Sequence, residues 1–350
     1  MWGNIAIAFL LAYIVSFVAT PYTIKIAKKI GAVSEEKGER RVHKKAMPKF
    51  GGAAVILGFL ISVAYLITVM CIEGSFQLFS EEHYGHKLIG LFLGILIIAI
   101  TGAIDDTKTL KPIPKLIGQI LAAIVIVAFG IKIEHLSIPF LYKIGLSNAF
   151  SVVLTVIWIV GVTNAINLID GLDGLSSGIS IISCLSLLII FALNESPIIA
   201  VILTTALVGA LVGFLPYNFS PAKTFIGDIG SNFLGFILAV VSILGVAKTY
   251  TAAVIVLPVI ALGLPIFDTI FAINPINWVI DTSNTTPIRY GIIVFLYSAF
   301  SSMLPVIYFI PKTISVITDI TIPNVFIVPI IGSALLVTLL TSSSDKSPGL

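Results

Sequence analysis

Eleven apolar runs, each near the length that a helix needs to cross a bilayer, dominate this 350-residue sequence. A bilayer core requires roughly 20 consecutive apolar residues per helix. Only 11% of the residues are charged, against about 25% in a soluble chain, so lipid must cover the apolar surface. We therefore predict an all-α, polytopic integral membrane protein with about eleven transmembrane helices, forming a single domain over residues 1–350. The runs begin near Gly3, Gly52, Leu88, Leu116, Val152, Ser176, Ile198, Phe233, Ala252, Ile292 and Val325.

The basic residues are concentrated in one segment, which predicts the orientation. Nearly half of the 20 Lys and Arg residues lie between Lys25 and Lys49, beside the first two runs. Loops rich in Lys and Arg stay in the cytoplasm, so this segment is predicted inside and the N-terminus outside. The first run, Trp2–Thr20, has no basic residue before it, the reverse of a signal peptide. Alternation then predicts a cytoplasmic C-terminus. The loops predicted outside are Glu73–His86, Lys132–Asn148 and Pro311–Ile322.

Six aspartates fall at the ends of runs that this orientation places inside. A carboxylate near the bilayer is costly unless it faces a polar cavity or a partner, so six of them indicate one site that opens to the cytoplasm. Cytoplasmic loops near 25–51, 105–115, 167–175, 217–231 and 273–289 are predicted to form it. The aspartates are Asp105, Asp106, Asp170, Asp173, Asp228 and Asp268.

The first motif is a pair of adjacent carboxylates, Asp105 and Asp106, at the predicted end of a helix. Such neighbours repel each other unless a cation neutralises them. Mg²⁺ takes hard oxygen ligands and keeps several waters, which suits a site beside phosphates. A solvated helix end beside Lys108 and Lys111 explains the pair equally well.

A second motif places an amide and two carboxylates between apolar runs, in Asn164-Ala-Ile-Asn-Leu-Ile-Asp-Gly-Leu-Asp-Gly174. Asp173 follows Asp170 by three residues, so the two carboxylates can converge with Asn167. Glycines in the same run let a ligand approach the backbone closely. A Gly-rich connection is the alternative, but the cluster favours a binding site.

The third motif is Asp228, between two glycines and directly before a long apolar run. The N-terminus of a helix attracts anions such as phosphate, and a carboxylate there can hold a metal ion. An N-cap is the structural alternative, and both roles are compatible.

The basic segment ends in Pro48-Lys-Phe-Gly-Gly52. One interpretation is a topology signal that also touches anionic lipid. The other is that Lys44, Lys45 or Lys49 holds a lipid phosphate or a diphosphate at the membrane edge. Carboxylates, Mg²⁺ and lysines around one pocket suit phosphoryl transfer, which works mainly by positioning and charge neutralisation.

Taken together, the motifs resemble the polyprenyl-phosphate N-acetylhexosamine-1-phosphate transferases, the MraY/WecA/TagO superfamily, and look closest to the WecA/TagO branch. The resemblance covers about residues 21 to 272. The matching pieces are Arg40–Gly52, Gly102–Asp106, Lys115–Gln119, Asn164–Gly174, Tyr217–Ser231 and Pro265–Thr269.

This resemblance implies a reaction at a bacterial cytoplasmic membrane, with the active site facing the cytoplasm. Polyprenyl (undecaprenyl) phosphate attacks the sugar-linked phosphorus of a UDP-N-acetylhexosamine, with GlcNAc as the expected sugar, and UMP leaves. The step would begin a cell-wall or surface glycopolymer, such as teichoic acid or lipopolysaccharide. Membrane lipid is an expected partner and nucleic acid is not; a homodimer is considered as a further state.

The resemblance also implies roles for individual residues. Asp105 would assist the lipid phosphate as base or contact, with Asp106 beside it. Asp228 and Asp106 would hold Mg²⁺, with Mn²⁺ as the alternative metal. Lys45, and by its position Lys49, would hold phosphate. The residues expected to line the nucleotide pocket are Asn167, Asp170, Asp173 and Asn218.

One segment departs from the family pattern. The family carries a basic loop with a His-x-His-His motif after Pro265–Thr269, whereas residues 273–289 hold no histidine and one basic residue, Arg289. A catalytically silent relative that binds lipid phosphate is therefore an alternative to an active transferase. A transporter with an acidic vestibule is a third hypothesis, although transporters place ionisable groups near the bilayer midplane.

Overall fold

Helices make up most of the chain that the computed structural model describes, which is residues 2–34, 46–72, 84–137, 143–193 and 196–246. All of these residues belong to one compact unit. A two-stranded antiparallel hairpin, β1 (His135–Ser137) and β2 (Lys143–Gly145), lies between α4 and α5. The helices are α1 (Trp2–Ile30), α2 (Gly52–Ile72), α3 (Tyr84–Lys108), α4 (Pro112–Ala128), α5 (Asn148–Ile169), α6 (Leu175–Leu193), α7 (Ile198–Asn218) and α8 (Gly227–Val246).

Seven of the described helices are long and apolar enough to cross a membrane. The eighth, α4, has 17 residues and is shorter than the usual span. The polytopic helical membrane protein is therefore confirmed as a class, and the described helices correspond to the first eight predicted runs. The runs that begin near Ala252, Ile292 and Val325 lie outside the described residues. The total of eleven spans and the side on which each terminus lies stay predictions.

The hairpin corrects the all-α prediction in one place. The loop Lys132–Asn148, which the sequence places outside, contains β1 and β2, paired with His135 opposite Gly145. Strands of three residues offer too little alternation to be recognised in a sequence. At the edge of this loop, Ile133 N–H donates to Thr155 Oγ1 (2.9 Å), which ties the loop to α5.

The helix α8 lies at the centre of the described bundle. It packs against α2, α3, α5, α6 and α7. In its most apolar stretch, 94% of the residues are buried. In the most apolar stretch of α1, only 28% of the residues are buried. The exposed side chains of α1 include Ile7, Leu10, Ile14 and Val18. A helix that is apolar all round needs either lipid or protein on every face. Helices on several sides therefore hold α8 in place, and they also hold the residues at its N-terminus in position.

The segment before α2 packs closely on the segment before α8. Phe225 N–H donates to the Pro48 carbonyl (2.8 Å), and Gly52 N–H donates to the Ile226 carbonyl (2.7 Å). A Cβ on Gly52 would collide with the backbone of Gly230 in α8. This close approach of two backbones explains the two glycines that follow the basic segment, because any side chain there would push α2 away from α8.

Candidate active site

A cleft that is partly open to solvent lies where α5 ends and α8 begins. The segment before α2 supplies a third wall. Four residues predicted for the site meet here, although they come from three motifs that lie far apart in the sequence. The lining residues are Lys49, Asn167, Asp170, Gly171, Leu172, Phe225, Gly227 and Asp228.

Lys115, near the start of α4, is the cation at the centre of the site. Its ammonium donates to Asp228 Oδ1 and to Asn167 Oδ1 (2.9 Å), and it forms an ion pair with Asp105 Oδ2 (3.0 Å). The Lys115 side chain is 17% exposed and that of Asp105 is 7% exposed. One ammonium therefore joins the ends of α3, α4, α5 and α8 in a single charged cluster.

Asn167 fixes the orientation of the Asp228 carboxylate. Its Nδ2 donates to Asp228 Oδ1 (2.8 Å) and to Ser231 Oγ (2.7 Å), one turn further along α8. Asp228 Oδ1 thus accepts from both Asn167 and Lys115. Within the described residues, Asp228 Oδ2 accepts no hydrogen bond. The carboxylate borders the cleft, so this oxygen is available to a ligand.

Asp106 accepts two backbone hydrogen bonds at the start of α8. Its Oδ1 accepts from the backbone N–H of Asp228 (2.8 Å) and its Oδ2 accepts from that of Ile229 (3.0 Å). These are two of the N–H groups that a helix leaves unpaired at its start. Asp106 is 7% exposed and is not among the residues that line the cleft. This geometry makes Asp106 the cap of α8, and its expected role as a metal ligand stays a prediction.

Asp105 contacts the backbone after α3 and the ammonium of Lys115. Its Oδ1 accepts from Leu110 N–H (2.7 Å), which closes the end of α3, and its Oδ2 faces Lys115. It is 8% exposed and does not line the cleft. In this geometry Asp105 positions Lys115, and its expected contact with a lipid phosphate stays a prediction.

Asp170 and Asp173 lie in the turn between α5 and α6 and have different hydrogen-bond partners. Asp170 lines the cleft, and its Oδ1 accepts from Ser176 Oγ (2.7 Å). Burial raises the pKa of the Asp170 carboxyl to about 7, while the Ser176 hydroxyl partly opposes this rise. Asp173 Oδ2 accepts from Ala222 N–H (3.0 Å), which holds the loop between α7 and α8. Asp173 is outside the cleft lining.

Asn218 is the last residue of α7 and is 2% exposed. Its Oδ1 accepts from Ser177 Oγ (2.8 Å) and its Nδ2 donates to the Thr224 carbonyl (3.1 Å). It is not among the lining residues, so in this geometry it shapes the loop before α8 and does not contact the cleft. Lys45, Asp268 and the segment 273–289 lie outside the described residues.

The side chains around the cleft include few that could hold a magnesium ion. Among the residues that the structure describes, no group of three or more His, Cys, Asp or Glu side chains could hold a metal ion. Mg²⁺ is usually held by one or two carboxylates together with substrate phosphates and waters. The free Oδ2 of Asp228 fits that mode, in which the phosphates complete the shell. The residues therefore fit a metal that shares its ligands with a substrate.

Sequence reasoning did not assign a role to Lys115. The signal was present: Lys115 is the single charged residue in the sequence of α4, and Gln119 follows it by one turn. An ionisable side chain in an apolar helix marks a functional site by default, because burying it needs a partner. Gln119 Nε2 donates to Asn232 Oδ1 (2.9 Å), so the polar face of α4 continues toward α8.

Comparison with known proteins agrees with this arrangement. Residues 88–246 match the family model described as glycosyl transferase family 4. The chain is 38% identical over 270 residues to the "Probable undecaprenyl-phosphate N-acetylglucosaminyl 1-phosphate transferase" of Bacillus subtilis (strain 168), covering 77% of this chain and 71% of that protein.

Two further relatives extend the comparison. The "Phospho-N-acetylmuramoyl-pentapeptide-transferase" of Streptococcus thermophilus (strain CNRZ 1066) is 35% identical over 253 residues, or 68% of this chain and 71% of the relative. The "Decaprenyl-phosphate N-acetylglucosaminephosphotransferase" of Mycobacterium tuberculosis (strain ATCC 25618 / H37Rv) is 30% identical over 249 residues. These residues cover 68% of this chain and 60% of that relative.

A helical membrane bundle with a charged cluster at one end of its helices, together with these matches, defines a membrane-embedded transferase. The chain belongs to glycosyl transferase family 4, in the superfamily of polyprenyl-phosphate N-acetylhexosamine-1-phosphate transferases. The resemblance to the WecA/TagO-like branch is thereby confirmed.

Proposed function

We propose that this protein transfers N-acetylglucosamine 1-phosphate from UDP-N-acetylglucosamine to a polyprenyl phosphate and releases UMP. The observation that carries the proposal is Asp228, which lines the cleft together with Lys49 at the N-terminus of α8 and whose Oδ2 accepts no hydrogen bond within the described residues. The B. subtilis relative, whose printed name contains undecaprenyl phosphate and N-acetylglucosamine, supports this choice of acceptor and sugar.

The proposed reaction exchanges one phosphoanhydride bond for another. An oxygen of the polyprenyl phosphate attacks the phosphorus that carries the sugar. The bond from that phosphorus to the bridging oxygen breaks, and the bridging oxygen leaves with UMP and takes the electron pair. The product is polyprenyl-diphospho-N-acetylglucosamine. A phosphate acceptor is already largely ionised near neutral pH, so the protein mainly has to position the reactants and neutralise their charge.

Specific residues in the cleft fit those two tasks. The Lys49 ammonium and the N-terminus of α8 favour the negative charge of a diphosphate. Asn167 and Lys115 hold the Asp228 carboxylate in one orientation. Mg²⁺, or Mn²⁺ in its place, would be held by Asp228 and would supply charge neutralisation at the diphosphate. Asp106 is left out of the proposed metal ligands, because both of its oxygens accept backbone N–H groups.

We further propose that the cleft faces the cytoplasm of a bacterial cell, where nucleotide sugars are made. The basic segment from Lys25 to Lys49 supports this orientation through the positive-inside rule. The product would then lie in the inner leaflet as the first lipid-linked intermediate of a cell-wall or surface glycopolymer. Teichoic acid and lipopolysaccharide routes both begin with a step of this chemistry.

The test is UMP release by the purified protein from UDP-N-acetylglucosamine, with polyprenyl phosphate and Mg²⁺ in detergent. We expect UMP to form only when the lipid is present, and to disappear when EDTA removes the metal. UDP-N-acetylgalactosamine, in a parallel reaction, tests the sugar. Absence of lipid-dependent UMP release from folded protein would contradict the proposal.

A second candidate function rests on a specific feature of the sequence. Residues 273–289 hold no histidine, whereas the family carries a histidine motif in the corresponding loop. A catalytically silent relative would bind polyprenyl phosphate and nucleotide without releasing UMP. Ligand-induced thermal stabilisation, measured for lipid phosphate and for UDP separately, distinguishes this candidate from the active enzyme.

A further inference from the structure

We propose that Lys115 is an internal counterion that keeps a free divalent cation from occupying Asp228, so that the metal enters together with a nucleoside diphosphate. The inference rests on the proposed function, since it concerns the metal and nucleotide of that reaction. It assigns to Lys115 a role in the order of binding, as a residue that positions and neutralises Asp228.

The first support is the set of contacts that Lys115 makes. Its ammonium contacts Asp228 Oδ1, and it lies 3.0 Å from Asp105 Oδ2. The lysine thereby supplies positive charge to two nearby carboxylates. With a largely buried ammonium in contact with it, Asp228 attracts a second cation much less strongly than an unpaired carboxylate would.

The second support is electrostatic. A cation bound at Asp228 Oδ2 would lie within a few ångströms of the Lys115 ammonium, on the same small carboxylate. The interaction between two charges at such a distance is strong when water is partly excluded, and the Lys115 side chain is 17% exposed. The ammonium therefore opposes a divalent cation that arrives alone.

The third support is the shortage of protein ligands. Within the described part of the chain, no group of three acidic, His or Cys side chains surrounds a common point. Asp106 and Asp105 have their oxygens engaged by backbone N–H groups and by Lys115. A hard cation needs six or so oxygen ligands, and a diphosphate supplies several of them together with negative charge that offsets the ammonium. Metal and diphosphate should accordingly bind together.

Lys111 provides a matched control. It is the N-cap residue of α4, one turn before Lys115, it carries the same charge and it is exposed. In the described residues it forms no ion pair with the carboxylates of the cluster. Substitution of Lys111 changes the net charge of the protein by the same amount without removing the contact to Asp228.

The experiment measures binding of Mn²⁺ to the full chain in detergent by electron paramagnetic resonance, without nucleotide or lipid. Four proteins are compared: wild type, Lys115→Met, Lys115→Arg and Lys111→Met. We expect Lys115→Met to bind Mn²⁺ at least about tenfold more tightly than wild type, because the repulsion is removed. The Lys115→Arg and Lys111→Met proteins should stay close to wild type. Asp228→Asn in the Lys115→Met background should abolish the gain.

Equal or weaker Mn²⁺ binding by folded Lys115→Met would overturn the proposal, because Lys115 would then assist the metal ligand. If that variant does not fold, the proposal is tested by Mn²⁺ binding to the wild type with and without UDP. Its affinity for Mn²⁺ should rise at least about tenfold when UDP is added, and an affinity that is already as high without UDP would refute the counterion role. The Mn²⁺-only measurement uses no sugar or lipid, so its result is independent of whether UMP release is observed.

Discussion

The carboxylate of Asp106 accepts hydrogen bonds from the backbone N–H groups of Asp228 (2.8 Å) and Ile229 (3.0 Å), so the end of α3 caps the start of α8. Its neighbour in the sequence, Asp105, instead faces Lys115 (3.0 Å). Two adjacent carboxylates therefore have separate roles, one in placing the helix that carries Asp228 and the other in placing the lysine that contacts it.

Replacement of Asp106 by Ala should lower the stability of the protein. The variant leaves two N–H groups at the start of α8 without their acceptor, and loss of such a cap costs about 1–2 kcal/mol. Thermal unfolding in detergent, followed by tryptophan fluorescence, measures the effect. Asp106→Asn keeps one acceptor oxygen and should lie between Asp106→Ala and wild type. Unchanged melting of both variants would show that Asp106 does not cap α8.

Replacement of Asp228 by Asn should remove activity and leave the fold intact. Asn keeps an Oδ1 for Lys115 and Asn167 but loses the negative charge offered to a cation, so UMP release should fall about a hundredfold, the scale of one lost electrostatic contact in a catalytic site. The melting temperature is the second readout and should change little. Glu134→Gln is a matched control, because Glu134 is an exposed carboxylate near the hairpin. Full activity of Asp228→Asn would rule out its assignment as metal ligand.

The pKa of Asp170 predicts a pH dependence of stability. Burial raises this pKa to about 7, well above the usual range of an aspartate. The folded protein therefore binds the proton more tightly than the unfolded chain, and stability decreases as the pH rises from about 4 through 7. Asp170→Asn carries no such charge, so it should gain stability relative to wild type between pH 5 and pH 8. Thermal unfolding in metal-free buffer at both pH values measures this gain, and an identical difference at the two pH values would contradict it.

Gln119 should act as a positioning residue for the site. It is 2% exposed, its Nε2 donates to Asn232 Oδ1 (2.9 Å), and its Oε1 accepts from Asn164 Nδ2 (2.6 Å). Asn232 in turn donates to the Asp228 carbonyl (2.6 Å), so the network reaches the residue in the cleft. Gln119→Leu removes one hydrogen-bond partner from the buried Asn232 and one from the half-buried Asn164, at a cost of about 1–3 kcal/mol.

The measurements for Gln119→Leu are thermal unfolding and the steady-state parameters of UMP release. We expect a lower melting temperature together with a lower kcat, since α4 and α8 carry Lys115 and Asp228 on either side of the network. Ile124→Val, an exposed substitution on the same helix, is the control and should leave both readouts unchanged. A Gln119→Leu protein with wild-type kcat would limit the network to a structural role.

The orientation can be tested with cysteines at opposite ends of the bundle. Lys29, in the last turn of α1, is exposed on the side of the cleft, and Lys132 follows α4 at the other end. In a background with Cys71 replaced by Ser, Lys132→Cys should react with a membrane-impermeant thiol reagent in intact cells. Lys29→Cys should react only after lysis. Labelling of Lys29→Cys in intact cells would reverse the proposed topology.

The helices were predictable because each depends on a local property of the chain. A run of about 20 apolar residues has to form a helix in lipid, where every backbone N–H and C=O must be paired within the segment. The starts of α2 and α7 at Gly52 and Ile198 coincide with the predicted starts. The hairpin was missed because His135–Ser137 and Lys143–Gly145 are too short to show a period.

The sequence indicated which residues lie near the cleft better than it indicated what each of them contacts. Asn167, Asp170, Asp228 and Lys49 line the cleft, as expected for polar residues at one end of an apolar bundle. Asn218 was expected in the cleft as well, and it is buried between α6 and the loop before α8. A sequence shows that a side chain is polar, but its partner depends on which helix packs beside it.

The sequence by itself determined that this chain crosses a membrane several times, and it gathered the carboxylates at one end of the helices. Both follow from the cost of burying charge and unpaired backbone in lipid, which acts on each segment separately. Only the tertiary structure decided that Asp106 caps α8, that Asp105 holds Lys115 and that Asp228 keeps one oxygen toward the cleft. Hydrogen bonds reach about 3 Å, so the partner of each side chain depends on how α3 and α5 pack against α8 and how α4 packs against α3 and α5.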